Sequence, residues 1–299
     1  MGTHLSKNSR KIATVFAILA AALYAINIPL SKVFLEHVGA TMMAAHLYLG
    51  AGLGMLLYQS IAKKIGKKEK KESLTKNELP YTFAMVVLDI VAPILLMIGI
   101  SKTNSANVSL LNNFEIVATS LIALVIFKEV ISKRLWFAIV LVTVASVILG
   151  FEGNDAFVFN EGSLFVTGAC ICWGFENNCT KMLSNKSSEE IVSIKGLFSG
   201  LGSFIVALLI GERVPAIEWI IAVLLLGFVS YGLSINLYIM AQKDLGAAKT
   251  SAYYSIAPFL GVAFSMILLR ERPGLQFYVA MGIMIISTVI MMKDTLEST

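Results

Sequence analysis

Three carboxylates, Asp89, Glu115 and Glu176, stand inside long runs of apolar residues. A charge near the centre of a bilayer costs at least ~2.5 kcal/mol, so an acid in such a place is expected to face a cavity or a partner. Asp89 and Glu115 fall close to the middle of their runs. At a rise of 1.5 Å per residue each is roughly 15 Å from either end, too deep for a carboxylate to reach headgroups. Glu176 lies nearer one side. Helical spacing gives the acids company. Asn112, Glu115 and Thr119 follow i, i+3, i+7 spacing and form a polar stripe, while Glu176 shares a face with Thr180, and Asn177 shares the next with Lys181. Pro93 follows Asp89 by one turn, which frees a backbone carbonyl beside the charge. Acids so placed can hold a cationic group or carry a proton. The alternative is structural: Asp89 or Glu115 pairs with a lysine and ties two helices together.

Four lysines, Lys32, Lys181, Lys195 and Lys249, lie within a few residues of the ends of apolar runs, where a long stem can snorkel or pair locally. A gate or substrate contact is the rival reading, strongest for Lys249, which has Tyr253 one turn on. The aromatics Tyr24, Trp173, Tyr231, Tyr253, Tyr254 and Phe259 could wall a cavity and stack on a ligand, or serve packing and interfacial belts. Cys170, Cys172 and Cys179 share one run with spacing that does not bring three sulfurs to one metal, so free thiols are expected. No phosphate loop, H-E-x-x-H or G-x-S-x-G motif occurs, and His4, His37 and His46 all fall far from the acids in the chain. Neither cofactor nor resident metal is expected. Energy, if any is used, must come from an ion or substrate gradient, since no soluble segment is long enough for an ATPase.

The elements that must position these residues are membrane helices. The chain is 57% hydrophobic and 14% charged, with a mean hydropathy of +0.79, whereas soluble domains are nearer one quarter charged. Runs of about 20 apolar residues give ten spans. They are roughly 12–35, 40–62, 80–100, 105–127, 133–151, 163–183, 191–211, 216–240, 247–269 and 275–292. The net charge of +5 does not point to nucleic acid, because the lysines gather beside the spans. With both termini in the cytoplasm, the inner segments carry sixteen Lys and Arg against four outside, Lys102, Arg213, Arg270 and Arg272. Most of that bias lies in the first half.

The chain also repeats itself. Tyr24-Ala-Ile-Asn27-Ile-Pro29-Leu-Ser31-Lys32 returns as Trp173-Gly-Phe-Glu176-Asn177-Asn178-Cys-Thr180-Lys181, which pairs Tyr24 with Trp173 and Asn27 with Glu176. Ser105-Ala-Asn107 leading to Phe127-Lys128-Glu129 matches Gly246-Ala-Ala248-Lys249 leading to Leu269-Arg270-Glu271. Five spans per copy is an odd number, so the second copy enters from the opposite side. The fold predicted is all-α and integral to the membrane: ten transmembrane helices as two inverted repeats, 1–151 and 152–299. Such a pair can close toward either face by exchanging the conformations of its halves.

These residues resemble the EamA family of the drug/metabolite transporter (DMT) superfamily across essentially the whole chain. The resemblance implies a small-metabolite carrier with a central cavity lined mainly by spans 1, 3, 4, 6, 8 and 9. It also implies that spans 5 and 10 are peripheral and serve packing or homodimer contacts. One departure stands out: Glu115-Ile116 lies where the second copy has Ala257-Pro258, so the family's usual proline is missing from span 4. That sets the mechanical equivalence of the halves in question. The expected partners are a small-molecule substrate and the lipid bilayer of the cytoplasmic membrane, with no nucleic acid. The expected activity is secondary transport of an amino acid or related amine or zwitterion by alternating access, proton-coupled or facilitative. The site expected from these arguments comprises Glu115, Asp89, Glu176, Asn112, Lys249, Trp173, Tyr24, Asn27 and Tyr253. An intramembrane enzyme or a lipid-handling protein using the same carboxylates is the rival class.

Overall fold

The computed structural model describes residues 7–64, 74–126, 128, 132–150, 160–183, 186–245, 250 and 253–297. Their regular elements are helices. The first half holds α1 (Lys7–Ala25), α2 (Asn27–Phe34), α3 (Ala40–Lys64), α4 (Leu79–Lys102), α5 (Ser105–Leu111), α6 (Phe114–Val125) and α7 (Lys133–Gly150). The second holds α8 (Glu161–Met182), α9 (Ser188–Ile194), α10 (Gly200–Leu209), α11 (Ile217–Gly227), α12 (Ser234–Leu245), α13 (Ala257–Leu268) and α14 (Leu275–Glu297). Seven described stretches are long and apolar enough to cross a membrane. The outer surface is correspondingly greasy: Leu209, Leu275, Ile267 and Phe83 are each more than two-thirds exposed, the burden of apolar surface that lipid covers and water would not tolerate.

Three apolar runs are interrupted, among the described residues, where the sequence predicts continuous helices. The first span breaks at Ile26, between α1 and α2, just ahead of Pro29. The fourth breaks at Asn112–Asn113, between α5 and α6, although no proline is present. Asn113 Nδ2 donates to the Leu110 carbonyl at 3.1 Å, so a side chain bonds a backbone oxygen inside the break, as short polar side chains do when they compete with the helix. The second copy turns at Ser255–Ile256 before α13, with Pro258 in the first turn of that helix. The missing proline therefore does not keep span 4 straight. The break also separates Asn112 from Glu115, so the predicted stripe does not run along one helix. Pro93, by contrast, is absorbed within α4.

Two wide π-type turns complete the scaffold, Lys195–Ser199 between α9 and α10 and Phe228–Leu233 between α11 and α12. Both pack on α3. Closeness is what the glycines there provide: a Cβ on Gly196 would lie 2.4 Å from the Gly52 backbone nitrogen. The glycine run at Gly50, Gly52 and Gly54 thus lets backbones approach. Gly196→Ala should cost about 1–3 kcal/mol of overpacking and lower the melting temperature in detergent by several degrees. An unchanged melting curve would show that the contact relaxes freely.

Candidate functional site

The side chain that organises the centre is Lys195, the first residue of the Lys195–Ser199 turn. Its Nζ lies 3.1 Å from Asp89 Oδ2 and 3.0 Å from Glu176 Oε1, and only about a fifth of the side chain is exposed, at 19%. Asp89 comes from α4 and is fully buried; Glu176 comes from α8 and is 2% exposed. Each acid is held from a second direction. Tyr48 on α3 donates its hydroxyl to Asp89 Oδ1 at 3.0 Å, and Thr180 donates to Glu176 Oε1 one turn along α8. Lys195 therefore neither snorkels nor pairs at the membrane edge. It joins two acids from different helices, in a place where an unpaired charge would be costly.

Glu115 sits in the first turn of α6 and accepts from Asn177 Nδ2 at 2.7 Å. Asn177 also donates to Thr119 Oγ1 at 3.2 Å, so it joins two members of the predicted stripe. Asn177 is the neighbour of Glu176 on α8, and Glu115 is within electrostatic reach of both Glu176 and Lys195. All three predicted acids therefore belong to one polar centre.

Its wall is aromatic. Tyr231, from the Phe228–Leu233 turn, meets Tyr48 at a centroid distance of 5.3 Å and stands edge-on to Tyr24 at 5.9 Å. Tyr254 lies 5.9 Å from Tyr24. Asn27, 1% exposed, donates to the Tyr231 hydroxyl at 3.3 Å and accepts from Ser31 Oγ at 3.2 Å. Tyr24, Tyr231 and Tyr254 are each within electrostatic reach of Glu115. Tyr48, Asp89, Asn27 and Tyr24 come from the first half; Glu176, Lys195, Tyr231 and Tyr254 come from the second.

Other predicted residues are placed differently. Trp173 is buried at 5% exposure and its side chain hydrogen-bonds Tyr48, so it borders the centre from the apolar core, while its counterpart Tyr24 stands in the aromatic wall. Tyr253 is exposed at 36% and is not brought into the cluster. Its neighbour Tyr254 is, because adjacent helical residues point about 100° apart. Asn112 is buried at the break, beside Cys170 Sγ at 4.0 Å. Lys249 lies outside the described residues. Lys32 donates to the carbonyls of Ile100 and Thr103 at 2.6 and 2.8 Å, closing the C-terminus of α4. A cation at that end of a helix is well placed.

A relative from Methanothermobacter thermautotrophicus, named only as an uncharacterized transporter, is 25% identical over 271 residues, covering 85% of this chain and 78% of its own. A solved crystal structure aligns over 93% of this chain and 94% of its own with a TM-score of 0.66 and 15% identity, a likeness of fold alone. The description of the EamA-like transporter family matches twice, over residues 11–151 and 160–293. The chain belongs to the EamA family. It is therefore a multi-pass membrane protein of a transporter family in the DMT superfamily. In this EamA chain, Lys195 and Tyr231, candidates in the sequence but outside the expected site, are central, as is Tyr48, which carries no local signal.

Proposed function

We propose that this protein is a secondary transporter of a small polar metabolite, an amino acid or related amine or zwitterion, and not an enzyme. The observation that carries this reading is the buried Asp89–Lys195–Glu176 group with Glu115 beside it, contributed by helices of both halves. A site built where two repeats meet is what alternating access requires. The two described histidines favour transport over catalysis by being engaged elsewhere: His37 stacks on Trp219 at 4.1 Å, and His46 Nδ1 is 2.8 Å from the Met42 carbonyl.

The reading includes ten spans as two inverted repeats. The seven long apolar stretches are joined in it by α7, α8 and α13. The double family match falls at the proposed division. The ends of α4 and α8 that meet through Lys102 and Glu161, 2.8 Å apart, lie on one face as that topology requires. The basic 63–76 link sets the other face in the cytoplasm of the cell membrane. Spans 5 and 10, α7 and α14, remain the peripheral pair and the proposed homodimer contact.

Counterflow of labelled amino acids, amines, nucleosides and sugars in proteoliposomes tests the function. Flux is expected with an amine-bearing compound; no flux with any class would favour the enzyme or lipid-handling reading. Glu115→Gln should reduce that flux about tenfold to a hundredfold, the worth of one charge-assisted hydrogen bond, and flatten its pH dependence. Normal flux across pH would remove Glu115 from the site.

A further inference from the structure

Asp89 and Glu176 approach one ammonium nitrogen from separate helices at nearly equal distances, 3.1 and 3.0 Å. Their other contacts, Tyr48 on Asp89 and Thr180 on Glu176, fix both acids independently of the lysine. The pair is thus a preformed cradle for a group with N–H donors, and two carboxylates around one cation keep the place attractive to a second. The cation now in it is mounted on the first residue of a π-type turn. Such a turn carries extra length compared with an α-helical one and recurs at functional sites. Tightening it would change the helical phase between Lys195 and the residues that follow, which is a route by which the ammonium can leave the acids. Glu115, held by Asn177, the neighbour of Glu176 on α8, is the next carboxylate of the centre. The tyrosines of the wall supply a surface for the body of an incoming molecule.

We infer that the Asp89–Glu176 pair is a primary-ammonium site in which Lys195 is a tethered stand-in for the amine of the cargo, and that the cargo enters by displacing it. This inference rests on the proposed transport function for its cargo, but the site itself can be tested without transport. A structural lysine would never yield its place; a stand-in must.

The probe is n-propylammonium, which matches the atoms that Lys195→Ala removes beyond Cβ. Titration calorimetry on the purified protein should find saturable binding to the wild type, and binding at least tenfold tighter to Lys195→Ala, where the tether no longer competes. In thermal melts, n-propylammonium at ten times its dissociation constant should raise the melting temperature of Lys195→Ala by about 3–5 °C. Tetramethylammonium, with no N–H to donate, should do neither. Binding to Lys195→Ala with none to the wild type would overturn displacement, and equal binding of tetramethylammonium would overturn the ammonium site. Where Lys195→Ala does not fold, Glu176→Gln/Lys195→Ala removes one charge of each sign and keeps Asp89. It should still show the shift, and its absence there would overturn the site. If n-propylammonium binds as expected and no amine is carried in counterflow, the ammonium site stands and the transport reading falls. Amine flux without any n-propylammonium binding gives the reverse.

Discussion

Lys195→Met is expected to lower the melting temperature of the purified protein by roughly 6–20 °C and to abolish flux, whereas Asp89→Asn/Glu176→Gln/Lys195→Met should melt near the wild type and be equally inactive. The first half of this expectation follows from one-sided removal. Taking away the ammonium leaves Asp89, fully buried, and Glu176, 2% exposed, facing each other without the cation that now lies within about 3 Å of both. Breaking a buried ion pair from one side costs about 3–5 kcal/mol, and about 2–4 °C of melting temperature follows each kcal/mol in a protein of this size. The partial exposure of the lysine, 19%, puts the outcome toward the low end. The second half follows because the large cost is the unpaired charge and not the lost attraction. A group neutralised on both sides, with methionine filling the volume of lysine, returns most of the stability. Differential scanning fluorimetry and counterflow on the same preparations separate the two effects. A stable Lys195→Met would show that water reaches the acids and that the triad does not hold the helices. An active triple variant would take the site away from this part of the bundle.

Much of this was readable from the chain, and the parts that were not have physical reasons. Asp89, Glu115 and Glu176 announced themselves because a carboxylate at mid-membrane depth has few innocent explanations. The structure places all three in one centre. Asn27 followed from the repeat that pairs it with Glu176, and it does contact the tyrosine wall. Lys195 was harder, because its position near the start of a span makes snorkelling chemically reasonable. Only the π-type turn and the approach of Gly196 to Gly52 turn it inward, and neither can be read from hydropathy. Tyr48 carries no local signal, being one aromatic residue in an apolar helix. The choice of Tyr254 over Tyr253 depends on helical phase, which the turn at Ser255–Ile256 resets. The break at Asn112–Asn113 was missed for the opposite reason. No proline marks it; two asparagines occupy the break, and Asn113 bonds the Leu110 carbonyl there.

Glu212→Gln/Glu271→Gln is expected to open the face of the protein that carries Ser105, Glu161 and Glu271. Glu271 accepts from the backbone N–H groups of Ser105 and Ala106 at 2.9 and 2.8 Å, so a loop of the second half holds the start of α5 in the first. Glu212 does the same to α3, accepting from Thr41 and Met42 at 3.1 and 2.7 Å. Both glutamates follow a residue with left-handed backbone, Gly211 at φ 81° and Arg270 at φ 54°, which turns the chain sharply after the preceding helix and aims the acid across the boundary. A carboxylate on paired amides at a helix start gains from charge and from the helix dipole. Hydrogen bonds to a charged group are worth about 1.5–3 kcal/mol. Even at the low end, two such latches bias the closed arrangement by about a hundredfold, since 1.4 kcal/mol is tenfold. Spin labels at the exposed positions Ser101 and Gln276, in a background without Cys170, Cys172 and Cys179, read the opening as a longer distance population. That population should be minor in the wild type, larger in either single variant and dominant in the double. Melting temperatures should fall only modestly, because opening exposes these helix ends without unpacking the core. If the double variant keeps the wild-type distances, the two glutamates only cap their helices and the barrier between states lies elsewhere. The Lys195 triad, which also ties first-half Asp89 to second-half Glu176, would then be the first place to look.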